Sequence, residues 1–201
     1  MAVTYNPIGA ENPVVAGLAV LTLVLNAALI STLVYYILQK TGLSDSLADK
    51  WHGFMGEAST PIKDTKDFLS SNYKTLSLIV AAGATSGSLY MSNVLGWEPC
   101  LLCWYQRILV YPIVVLTAVA VLFEKDDVRE YVMPLAMIGL PISVYHSLVQ
   151  RYSQFHSAGC SIVEVSCSTS YTFWFGYITI PVMAATALAT VLVLMWRFSE
   201  N

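Results

Sequence analysis

Glu98-Pro99-Cys100-Leu101-Leu102-Cys103-Trp104-Tyr105-Gln106-Arg107 leads directly into an apolar run at 104–123, long enough to cross a bilayer. A CxxC at the mouth of such a run decides how the rest of the chain is read. Pro99 suits the first turn of a helix, where its missing N–H costs nothing. A helix starting there brings both thiols to unpaired N–H groups and the positive end of the helix dipole, which favours thiolate and reactivity. Arg107 follows Cys103 by four residues, so the two share one helical face.

Working outward, the chain of 201 residues is 56% hydrophobic and 11% charged. Soluble domains carry about 25% charged residues, so this composition reads as an all-α membrane protein. Spans of about 20 apolar residues cross a hydrocarbon core, and five stretches qualify: 14–38, 75–95, 104–123, 131–149 and 173–196. The first lacks a basic leader, exceeds a signal-peptide core in length and has no clear cleavage site after it. It is expected to be a retained helix. No basic or aromatic-basic stretch points to nucleic acid.

Basic residues mark cytoplasmic loops. Lys40, Lys50, Lys63, Lys66, Lys74, Lys125, Arg129 and Arg197 fall on one predicted side, and only Arg107 and Arg151 on the other. The N-terminus is therefore expected outside and the C-terminus inside. Cys100 and Cys103, and the second pair Cys160 and Cys167, then occupy outer loops. Disulfides form and persist on that oxidising side. Within the polar connector 39–74, residues 43–55 suit a short interfacial helix or a solvated link. Trp97, Trp104, Tyr105, Tyr171, Phe173 and Trp174 fit an outer aromatic belt, and Gly83-Ala-Thr-Ser-Gly87 offers a small-residue face for helix packing.

Arg107 is the only charge inside the five spans, and an intramembrane charge marks a functional site by default. Beside a thiolate it would stabilise negative charge; beside a quinone it would donate to a ring oxygen. Closing the loop between Cys160 and Cys167 stabilises a chain by only about 2.5 kcal/mol, so redox exchange accounts for that pair better than stapling. A zinc site is disfavoured by the wide spacing of the second pair, and no metal is expected. His146, near the outer end of the fourth span, is either a hydrogen-bonded interfacial residue or a proton carrier, a role open to imidazole because its unperturbed titration falls near physiological pH.

The segment 98–107 resembles the signature of DsbB-type disulfide-bond formation proteins, especially the compact BdbC-like branch. The segment 145–150 resembles the end of a family helix, and 167–181 the start of the last one. The resemblance covers roughly 75–197. It implies a four-helix transmembrane bundle at 75–201, preceded by one extra N-terminal helix and a cytoplasmic connector at 1–74.

The resemblance also implies a plasma-membrane oxidase that reoxidises a soluble DsbA-like, thioredoxin-fold partner and passes the electrons to a lipid quinone, ubiquinone or menaquinone. In that scheme the donor attacks Cys160, Cys167 exchanges with Cys100, and Cys103 delivers electrons to a quinone with Arg107 beside its ring; His146, as the candidate proton carrier, is the second expected cofactor-binding residue. Such a donor sits near about −120 mV, so its reoxidation requires a good acceptor. The rival readings are a reductase running outward, disfavoured because no cysteine lies on the inner side, and a scaffold with structural disulfides.

Overall fold

The computed structural model describes residues 12–40, 59–152, 166–168 and 170–197. Among the described residues five helices follow in order: α1 (Pro13–Lys40), α2 (Ser59–Asn93), α3 (Leu101–Leu122), α4 (Val128–Arg151) and α5 (Ile180–Arg197). Among the described residues there is no strand, only an isolated bridge between Trp174 and Ile178. The chain is an all-α membrane protein.

Four of these helices, α1, α3, α4 and α5, are long and apolar enough to cross a membrane. The expected span at 75–95 falls in α2, which is less apolar because Ser77, Gly83, Thr85, Ser86, Gly87, Ser88 and Ser92 dilute its aliphatic residues. α2 also starts 16 residues earlier than that span, so the second half of the expected connector is helical. The possible interfacial helix at 43–55 lies outside the described residues.

The last helix starts later than the apolar pattern implied. Residues 173–179 form a tight reversal, in which the Trp174 N–H donates to the Ile178 carbonyl at 2.9 Å and the Ile178 N–H donates back at 2.8 Å. Phe175 and Gly176 take φ of +51° and +76°, and consecutive left-handed residues cannot continue an α-helix. Aromatic residues gave this turn the hydropathy of a span without its backbone.

The core lies among α2, α3, α4 and α5. Ile113, Ala120, Val132, Ala136, Leu188, Val191 and Met195 interlock there with almost no exposure. Prolines at 112, 134 and 141 sit inside α3 and α4. Two buried hydroxyls are satisfied within their own helices, Thr117 donating to the Ile113 carbonyl at 2.6 Å and Ser143 to the Gly139 carbonyl at 2.9 Å. This suits a medium where an unpaired polar group is costly.

Small residues set the closest approaches. A Cβ on Gly139 would lie 3.0 Å from Leu188 Cδ1 and 3.5 Å from Leu109 Cβ, so α4 is pressed against both α5 and α3. Gly139→Leu should therefore overpack the bundle at a cost of about 1–3 kcal/mol. Thermal unfolding in detergent checks this, and an unchanged midpoint would show that the contact is loose. At the polar end of the bundle, Lys74 forms an ion pair with Asp126 in the loop after α3.

The candidate active site

Cys100 is the N-cap of α3 and Leu101 its first helical residue, so Pro99 stands just before the helix and not within its first turn. The cap is made by sulfur: Cys100 Sγ accepts the Cys103 N–H at 3.4 Å. A helix leaves its first N–H groups unpaired, and here the thiol occupies that role. The CxxC spacing then brings the sulfurs of Cys100 and Cys103 to 2.9 Å, within an ångström of the roughly 2.05 Å of a disulfide bond. Both are free cysteines in this structure.

His146 comes from α4 and is buried beneath this pair, with Nε2 3.5 Å from Cys100 Sγ. Its Nδ1 has no hydrogen-bond partner. Cys100, Cys103 and His146 place their ligand atoms within 4.8 Å of one another. The Cys103 thiol, followed by His146, holds the Cys100 thiol below its ordinary range, against the upward push of burial. A thiol depressed in this way contributes stability that is complete above its unfolded value of about 8.5 and is lost as pH falls toward the folded value. Alkylation of Cys100 in the reduced protein should accordingly persist from about pH 8.5 to about pH 6, where an ordinary thiol slows more than a hundredfold. Mass spectrometry of the labelled peptide reads the profile, and His146→Leu should move it toward ordinary behaviour.

Cys167 is fully buried and disulfide-bonded. It packs in one small cluster with Cys100, Leu102 and Val149, flanked by Cys103, Leu101 and Ile142. The segments carrying the two cysteine pairs are also joined by Tyr171, which stacks on Trp97 at 5.2 Å between ring centres and 7° between planes, and donates to the Glu98 carbonyl at 3.4 Å. Trp97 follows Gly96, whose φ of +69° turns the chain sharply after α2. Cys160 lies outside the described residues.

On the other side of Cys103 a cavity of about 190 Å³ opens, bounded by α1, α2, α3 and α5. Its end nearest the CxxC is lined by Cys103, Gln106, Arg107, Ser88, Trp97 and Tyr171. Lower down its walls are apolar, with Leu25, Ile79, Val80, Val110 and Ala184. Arg107 is fixed there: Nε donates to Ser88 Oγ at 3.0 Å and an NH2 group to the Ser88 carbonyl at 3.2 Å. Tyr111 donates to the same hydroxyl, and the guanidinium lies 5.3 Å from the Trp104 ring centre.

The structure therefore brings Cys100, Cys103, Arg107, His146 and Cys167 into one region. Arg107 lines the cavity with Cys103, whereas His146 contacts Cys100 and is not among the lining residues. Two contributors escaped the sequence reading. Gln106 is 5% exposed, lines the cavity, and its Nε2 has no partner. An unpaired buried amide is costly, but that signal exists only in three dimensions. Ser88, the anchor of Arg107, read as one hydroxyl among many.

A dithiol at the start of a membrane helix, its buried cap cysteine packed against a buried disulfide cysteine, defines a membrane thiol–disulfide oxidoreductase. The profile of the family described as disulfide bond formation protein DsbB matches residues 71–198, and the chain belongs to that family. Among curated proteins it is 43% identical over 118 residues to the probable disulfide formation protein C 1 of Bacillus anthracis, covering 59% of this chain and 85% of that one. It is 42% identical over 119 residues to the disulfide bond formation protein C of Bacillus subtilis, covering 59% and 86%. A probable disulfide formation protein of Chlamydia pneumoniae is 32% identical over 129 residues, covering 64% and 93%. No solved structure matches the chain.

Proposed function

We propose that this protein oxidises a soluble thioredoxin-fold dithiol outside the plasma membrane and passes the two electrons to a lipid quinone. The observation that carries this is the position of Cys103. It touches Cys100 on one side and lines the apolar cavity on the other, while Cys100 packs with Cys167.

The residues fit a quinone. The cavity is polar where Cys103 and Arg107 stand and apolar below, matching a ring that carries oxygens and an apolar tail. The unpaired amide of Gln106 supplies the donor that a ring oxygen requires. When bound, the quinone supplies an acceptor for two electrons and two protons. Cys103, Gln106 and Arg107 would hold its ring.

The chain's own residues perform the exchange. A donor thiolate attacks Cys160 of a Cys160–Cys167 disulfide, forming a mixed disulfide and releasing Cys167 as thiolate. Cys167 attacks Cys100 of the oxidised CxxC, breaking the Cys100–Cys103 bond and releasing the Cys103 thiolate. The second donor thiolate then attacks its own sulfur in the mixed disulfide, leaving as an oxidised donor and freeing Cys160, which resolves the Cys100–Cys167 bridge. The products are a Cys160–Cys167 disulfide and the reduced CxxC. His146 stabilises negative charge on Cys100 in that reduced pair, and Arg107 offsets charge on Cys103. The lysine bias of the opposite loops supports placing the cysteine loops outside.

The test is quinone absorbance with purified protein, a reduced thioredoxin-fold donor and short-chain ubiquinone or menaquinone analogues. Loss of quinone matched one-to-one by donor disulfide is the expected result. No quinone loss with either analogue would overturn the reading.

A further inference from the structure

The DsbB-family match begins at residue 71, so α1 lies wholly before it. Yet α1 forms part of the cavity wall. Leu18, Leu21, Thr22 and Leu25 line it, and their spacing of three, four and seven residues puts them on one helical stripe. They face a stripe on α2 made of Ile79, Val80, Gly83, Ala84, Gly87 and Met91. From Ile79 to Met91 the twelve steps of α2, at a rise of about 1.5 Å each, give the slot a length of roughly 18 Å, enough to take a ring at the outer end and the first part of a tail below it.

α1 is also fastened. Val15, Ala19 and Thr22 are buried along its inner face. The Thr186 hydroxyl donates to Asn26 Oδ1 at 2.8 Å, and Asn26 in turn donates to Tyr177 at 3.4 Å. At the outer end Asn12 donates to Tyr90 at 3.2 Å. Such side-chain bonds between membrane helices fix register as well as association. Gly87 admits the close approach: a Cβ there would stand 2.7 Å from Leu18 Cδ1, while Gly83, one turn along, has open space instead and lines the cavity. The small-residue face thus has two uses, one to seat α1 and one to leave room.

We propose that α1 is the fourth wall of the quinone slot, and that Leu18, Leu21, Thr22 and Leu25 are specificity-determining residues selecting the quinone by its ring substituents and proximal tail. This rests on the quinone reading above. The Thr22 hydroxyl is spent on the Leu18 carbonyl at 2.7 Å, so the wall offers the ligand shape and apolar contact. Without it, α2, α3 and α5 would leave the slot open to acyl chains along its length.

The experiment uses the full-length protein and a photoreactive azidoquinone, with labelled peptides identified by mass spectrometry, alongside steady-state kinetics. Label on residues 18–25, displaced by an unlabelled long-tailed quinone, is expected. Leu21→Trp and Leu25→Trp, which narrow the slot, should raise KM for the long-tailed quinone about tenfold, with less effect on a tail-less analogue. Label confined to α2, α3 and α5, with an unaltered KM in both variants, would overturn the proposal while leaving the quinone reading intact. If the parent protein reduces no quinone at all, the underlying reading falls and this inference falls with it.

Discussion

Replacing Cys103 with Ala should reduce steady-state quinone reduction on the order of 10⁶-fold, the scale seen when a covalent catalytic nucleophile is removed. The loss should have a specific form. Among the described residues Cys103 is the one cysteine that both contacts Cys100 and lines the cavity, so in the proposed relay it is the thiol that passes electrons from the first pair to the acceptor. The Cys167 disulfide does not involve Cys103 and should survive. Reduced donor added to the variant should therefore be oxidised by a single equivalent and then stop. A scaffold with structural disulfides would give no such burst, and turnover at the parent rate would remove Cys103 from the mechanism.

The second large effect belongs to Arg107. Its guanidinium lines the cavity beside Cys103 and is held by both the hydroxyl and the carbonyl of Ser88. A charge-assisted hydrogen bond contributes about 1.5–3 kcal/mol, so Arg107→Leu should raise the quinone KM by about ten- to a hundredfold. Arg107→Lys should recover only part of this, because an ammonium cannot span both Ser88 oxygens and still reach the cavity as the planar fork does. Ser88→Ala should produce a smaller change in the same direction, since it loosens Arg107 without removing its charge. Steady-state kinetics across quinone concentration separates the three variants. A KM equal to the parent's in all of them would remove Arg107 from quinone binding.

The parts of the site carried by local spacing were legible in the sequence. A CxxC puts two thiols on one helical turn, and a residue four places on shares that face, so the Cys100, Cys103 and Arg107 arrangement followed from helix geometry. The helical, membrane-embedded character followed from composition. What escaped depended on contacts between distant segments. His146 meets Cys100 because α4 crosses under the start of α3, a packing outcome with no signature in its own neighbours. Gln106 carried no mark of an unpaired amide until the cavity beside it was visible. The turn at 173–179 resembled a span because hydropathy does not register φ, and α2 read as more apolar than its hydroxyl-rich second half proves to be. Gly87 was recognised as a packing residue, but not which helix it admits.

The central claim is that electrons leave the second pair through Cys167 and reach the first through Cys100. Its most direct test is a double variant, Cys103→Ser with Cys160→Ser, which leaves those two thiols alone. They pack in one buried cluster, so mild oxidation should join them, and mass spectrometry of the unreduced digest should find the Cys100 and Cys167 peptides linked in most molecules. If both remain free thiols under conditions that oxidise the parent protein, the relay between the pairs does not run through these residues.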